Sequence, residues 1–328
     1  MSPTRRLASS LFAIVLAGHL LGGGGNVTLA LLSDTEVAPA TLATAACFSA
    51  DDVPPSVSSS VISKTSEFSP GFIRQGGTYY VYANVADGGC VPSGISTVTA
   101  VVSTVTTGAT AIALAAGTYS VGGVSYDHRS ASVTADAPLS AGAKAYIITS
   151  TDNASNSQTQ TGFSVTVDNT QPTASDIQAV NGNATAGKPE AEDTVTFTFS
   201  EPIDPKSVLA GWTGATTNVV VRIANGILGD ELTVRTAANS AQLPLGTVEL
   251  GGTAYVSADR DFGATGAAST MVLSGDTITV TLGTPSGTTG TQELAGMMTW
   301  IPSATATDRA GNACQTFVAA ESGVDLDF

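Results

Sequence analysis

The stretch Thr151-Asp152-Asn153-Ala154-Ser155-Asn156 returns later in the chain as Thr307-Asp308-Arg309-Ala310-Gly311-Asn312. Alternating apolar residues lead into both copies, Tyr146 and Ile148 before the first and Met298 and Trp300 before the second, and a short run follows each. Period-two alternation that ends in Asp, Asn and a small residue is the pattern of a strand entering a turn, so each copy reads as the last hairpin of a β-sandwich. A module met twice in 328 residues predicts an all-β chain of two tandem immunoglobulin-like β-sandwiches. Ser155 stands where the second copy has Gly311, and the two turns are expected to differ in geometry there.

Outward from the first copy, TYYVYANV at residues 78–85 sets Tyr79, Val81, Ala83 and Val85 on one face and Tyr80, Tyr82 and Asn84 on the other. Further strand candidates lie at residues 97–105, 111–114, 145–151 and 163–168 and in part of 124–133, between clusters of Gly, Asp and Ser. Residues 51–69, rich in Asp, Pro, Ser and Val, read as an extended lead-in. In VDNTQPTAS at residues 167–175, Pro172 interrupts strand pairing and places a boundary near residue 170. The second module opens with TVTFTFS at residues 194–200, whose Val195, Phe197 and Phe199 should be core. Asp204 before Pro205 predicts an N-capped short helix over 205–209, and residues 270–282 predict a hairpin turning at Ser274, Gly275 and Asp276.

The N-terminus carries Arg5 and Arg6, then an apolar run over residues 11–21, which predicts a signal peptide at residues 1–30 and an exported chain. That run is about half of the roughly 20 residues needed to span a bilayer, so no permanent transmembrane anchor is expected. The division follows: residues 31–54 an N-terminal arm, 55–170 the first sandwich, 171–328 the second. Acids outnumber bases 27 to 12, which disfavours a nucleic-acid partner. Of the three cysteines, Cys47 with Cys90 is the preferred disulfide, and separately buried thiols fit the sequence as well.

Catalytic constellations are sparse. Beyond the signal segment His128 is the only histidine, and no nucleophile motif surrounds it. Glu201 with Asp204 is the one close carboxylate pair in a predicted element, and it is read as a helix cap at Asp204 with a solvated strand end at Glu201 rather than as a glycosidase pair. No catalytic residue is assigned, and no enzyme is expected. Calcium is the candidate cofactor: Asp152, Asp168, Asn169, Asp308 and Asn312 sit at module ends, where carboxylates and backbone carbonyls can converge on an ion with six to eight oxygen ligands. Asp and Asn also build side-chain turns, which accounts for them without an ion. For a glycan, Tyr80 and Tyr82 are candidate stacking rings if their face is open, and Trp212 is candidate exposed ring or buried plug.

Two resemblances add to this. FSEPIDPKSV at residues 199–208, DTITVTLGT at 276–284 and ATATDRAGN at 304–312 together resemble the Ig-like domain of S-layer proteins. Ala30, Leu31, Leu32, Ser33, Asp34, Thr35, Glu36 and Thr41 resemble the mature N-terminus of the camelysin and biofilm-fibre family of exported bacterial proteins. The first implies a surface-exposed structural or adhesive module, the second export and assembly through residues 31–48. The expected function is therefore a secreted or cell-surface structural and adhesion protein, partnered by copies of itself or other surface proteins. A carbohydrate-binding accessory module is the alternative.

Overall fold

Strands account for every regular element but one in the computed structural model, which describes residues 50–64, 68–182 and 185–328. The predicted signal peptide, most of the arm and Cys47 lie outside the described residues. The first half contributes β1 (Ser56–Lys64), β2 (Phe72–Ile73), β3 (Thr78–Ala86), β4 (Ile95–Val101), β5 (Ile112–Val121), β6 (Val124–Ser130), β7 (Val133–Thr134), β8 (Gly142–Asp152) and β9 (Ser157–Val167). The second contributes β10 (Ala174–Val180), β11 (Thr194–Phe199), a short helix α1 (Pro205–Val208), β12 (Thr217–Ala224), β13 (Glu231–Thr236), β14 (Thr247–Glu249), β15 (Arg260–Phe262), β16 (Ser269–Ser274), β17 (Thr277–Thr281), β18 (Thr299–Ile301) and β19 (Ala319–Ala320).

In the first half β1-β3-β6-β5 form one layer and β4-β8-β9-β2 the other. The layers join in β5, which pairs with β4 through Ala113 and with β6 from Leu114 onward. Every pairing is antiparallel except β2 with β9, and this order is that of an immunoglobulin sandwich. Tyr79, Val81, Ala83 and Val85 of β3 all face the core, joined by Ile62, Val98, Ile148 and Val165. Tyr82, on the other face, is also buried, because Tyr126 (5.6 Å) and Tyr119 (6.4 Å) cover its ring. The Arg129 guanidinium lies over Tyr80 at 4.6 Å and Tyr119 at 4.5 Å, so the face that a glycan would need open is already occupied.

In the second half the order is β10-β11-β17-β16-β12-β13-β14-β18-β19, with β15 beside β12. Val195, Phe197 and Phe199 are buried, as their alternation requires, and Phe197 and Phe199 meet Trp300 edge-on at 5.2 and 4.9 Å. Asp204 caps α1 by accepting from the Lys206 amide at 3.0 Å, with Pro205 at the first helical position. Trp212 is a plug: it is buried and its Nε1 donates to the Ala215 carbonyl at 2.5 Å.

Two strands contradict the sequence reading. Residues 56–64, whose composition reads as lead-in, are β1 and pair along β3, and β10 precedes the strand expected to open the second half. Three strands between residues 231 and 262 also went unread.

Candidate functional site

Both copies of the repeated phrase build the same turn. The Asp152 carboxylate accepts from the Asn156 amide and Asn156 Nδ2, each at 2.8 Å; the Asp308 carboxylate accepts from the Asn312 amide at 2.7 Å and Asn312 Nδ2 at 2.8 Å. Ser155 (φ 72°) and Gly311 (φ 94°) are both left-handed, which corrects the expectation that the two turns differ: the Asp and Asn bonds hold Ser155 in a conformation glycine adopts freely. Each asparagine also reaches back to the segment that enters its sandwich. Asn156 Nδ2 donates to the Asp51 carbonyl at 3.1 Å and Asn312 Nδ2 to the Asp168 carbonyl at 2.9 Å.

That clamp assembles carboxylates. Asp51, Asp87 and Asp152 each place an oxygen within 4.8 Å of the others, and so do Asp168, Glu201 and Asp308. The two triads are equivalent position by position: one acid from the entering segment, one just past the strand that follows it in the sheet (β3 or β11), and one from the final turn. Asp87 Oδ1 in the first and Glu201 Oε1 in the second are buried and find no hydrogen-bond donor among the described residues. All-oxygen donors at this separation, with an unsatisfied oxygen in each set, fit a hard divalent cation such as calcium.

Of the five residues singled out by sequence, Asp152, Asp168 and Asp308 join these triads. Asn312 acts through the turn. Asn169 stands apart, accepting from the Gln75 amide at 2.9 Å and donating to the Leu139 carbonyl at 2.7 Å. Asp51 and Asp87 carry no sequence signal for the site, and the sequence pairs Glu201 only with Asp204, whose carboxylate instead pairs with Lys64 at 2.9 Å. His128 is buried on β6 with Nδ1 2.7 Å from Asp127. Cys90 is disulfide-bonded and Cys314 is a buried free thiol.

Burial, then the Asp308 and Asp168 charges, raise the Glu201 carboxyl to about 7, with Arg309 opposing. A carboxyl with a raised folded pKa contributes stability below its unfolded value and loses it as the pH climbs through the folded one. In chelator-treated protein, stability should therefore fall between about pH 4.5 and about pH 7, and Glu201→Gln should flatten that part of the profile. Urea midpoints measured across that range for both proteins check it.

Compared with known proteins, the chain matches no protein-family model and has no significant match among curated proteins.

Proposed function

We propose that the chain is an exported, non-enzymatic structural or adhesion protein of the cell surface or extracellular matrix, in which calcium held by the two triads stiffens a tandem array of Ig-like sandwiches. The observation that carries this reading is the recurrence of one carboxylate triad at equivalent positions in two sandwiches whose intervening sequences differ. In the second triad Asp168 comes from the segment that leaves the first sandwich, while Glu201 and Asp308 belong to the second. An ion there ties the two halves across their link. The S-layer resemblance of the second half agrees with a load-bearing surface role, and the net negative charge agrees with cation binding. The glycan-binding alternative has less to stand on, because Trp212 is buried and Tyr82 is covered.

A ligand present at about a hundred times its dissociation constant stabilises the folded state by about 2.7 kcal/mol. Saturating calcium is thus expected to raise the melting temperature of the full chain by roughly 5–10 °C and to slow proteolysis at the link, residues 168–173. Asp308→Asn with Glu201→Gln should remove the protection at the link. Melting and cleavage that ignore calcium in the unmodified chain would remove the ion from the proposal.

A further inference from the structure

The last ten residues of the described chain close the second sandwich. β19 pairs with β18, Asp325 bridges to Gly296, and Phe328 is buried edge-on against Tyr255 at 5.7 Å while its carbonyl accepts from the Gly187 amide at 2.7 Å. Within this segment Glu321, Asp325 and Asp327 each place a carboxylate oxygen within 4.8 Å of the others. Asp327 is 0% exposed and Glu321 5%, whereas Asp325 is exposed and forms the open side.

Each buried carboxylate satisfies one oxygen only. Glu321 Oε1 accepts from the Met298 amide at 2.8 Å, and Asp327 Oδ2 accepts from the Tyr255 hydroxyl at 3.2 Å. Glu321 Oε2 and Asp327 Oδ1 are buried and take no donor among the described residues, and the two carboxyls lie close enough to hydrogen-bond each other once one of them holds a proton. None of the three acids is in an ion pair among the described residues, and the further charge that acts on Glu321 is another acid, Asp176. Two buried carboxylates that face one another without a counter-charge are costly, and they are made acceptable by a bound cation or by a proton held between them. The donors are all hard oxygens, which select calcium or magnesium over softer metals. Two oxygens each about 2.4 Å from one ion stand at most about 4.8 Å apart, so the spacing of the three fits calcium, with backbone carbonyls or water completing its shell.

We infer that Glu321, Asp325 and Asp327 form a calcium site that clamps residues 321–328 onto the second sandwich. This site shares no residue with the triads and does not depend on them. Isothermal titration of the chelator-treated full chain with calcium chloride tests it. Asp325→Asn, a surface change that leaves the core intact, is expected to weaken one class of site by about tenfold or more. Glu321→Gln with Asp327→Asn is expected to lose one bound calcium per chain, and amide hydrogen-exchange protection of residues 321–328 should cease to respond to calcium. Asp152→Asn with Asp308→Asn should retain that equivalent, which separates this site from the triads whether or not they bind. Unchanged stoichiometry and affinity in Asp325→Asn overturns the inference, and does so even if the double variant fails to fold. Stabilisation of the unmodified segment by acid alone, with no calcium response, would assign a shared proton to Glu321 and Asp327 instead.

Discussion

Trp300→Ala is expected to lower the stability of the second sandwich by about 3–5 kcal/mol, a fall in melting temperature of roughly 6–20 °C. Trp300 is fully buried, at the meeting of β14, β18 and β19, with Val248 and Ala319 as its paired neighbours. Alanine would leave a cavity between the Phe197 and Phe199 rings, which now abut the indole at interplanar angles of 78° and 85°. It would also strip the Leu245 carbonyl of the bond it accepts from Nε1 at 2.6 Å. Trp300→Phe separates the two contributions: it keeps most of the apolar volume and loses the donor, for an expected cost of about 1–3 kcal/mol. Urea denaturation of both variants measures the difference. The consequence extends beyond the core, because β18 leads directly into the turn that carries Asp308, and Ala306 between them is buried in the same cluster. A Trp300→Ala loss below about 1 kcal/mol would mean that the core and the turn are held by something other than this packing.

Some of this architecture is legible in the chain and some is not, for physical reasons. Val195, Phe197 and Phe199 announce a strand because one face is buried and the other is threonine, so burial and composition share the period of two. β1 hides because it is serine-rich and its register shifts between Val57 and Ser59, a bulge that breaks the alternation by which a strand is recognised. The same division holds at the site. Asp152 and Asp308 stand out because each lies inside a repeated phrase whose turn depends on it. Asp51, Asp87 and Glu201 carry no local mark. They are distant in sequence from the turns they face, and only the pairing of the sheets, with an asparagine drawing in the entering segment, brings them together.

Lys64→Ala should cost about 3–5 kcal/mol, the usual penalty for breaking a buried ion pair by removing one partner. Lys64 ends β1 in the first sandwich, yet its ammonium lies 2.9 Å from Asp204 Oδ2 in the second, with the two side chains 9% and 1% exposed. The same nitrogen donates to the Asp308 carbonyl at 3.3 Å and to the Arg309 carbonyl. Burial pulls the lysine below its ordinary pKa and Asp204 opposes that, so the charge is retained only while its partners stay in place. One cation of the first half therefore engages both the cap of α1 and the turn that presents a triad carboxylate, coupling the halves beside the proposed ion. Replacing the pair should cost far less than breaking it. In Lys64→Met with Asp204→Asn the asparagine still caps α1, the methionine keeps the apolar stem, and no buried charge is left over, so stability is expected to return to within about 1 kcal/mol of the unmodified chain. A double-mutant cycle of Lys64→Met, Asp204→Asn and the two together, measured by urea denaturation with chelator and then with calcium, resolves the coupling. Equal losses in Lys64→Ala and in the double variant would show that packing rather than charge joins the two sandwiches. A calcium response lost in Lys64→Ala but kept in the double variant would show that the lysine holds Asp308 in place for the ion.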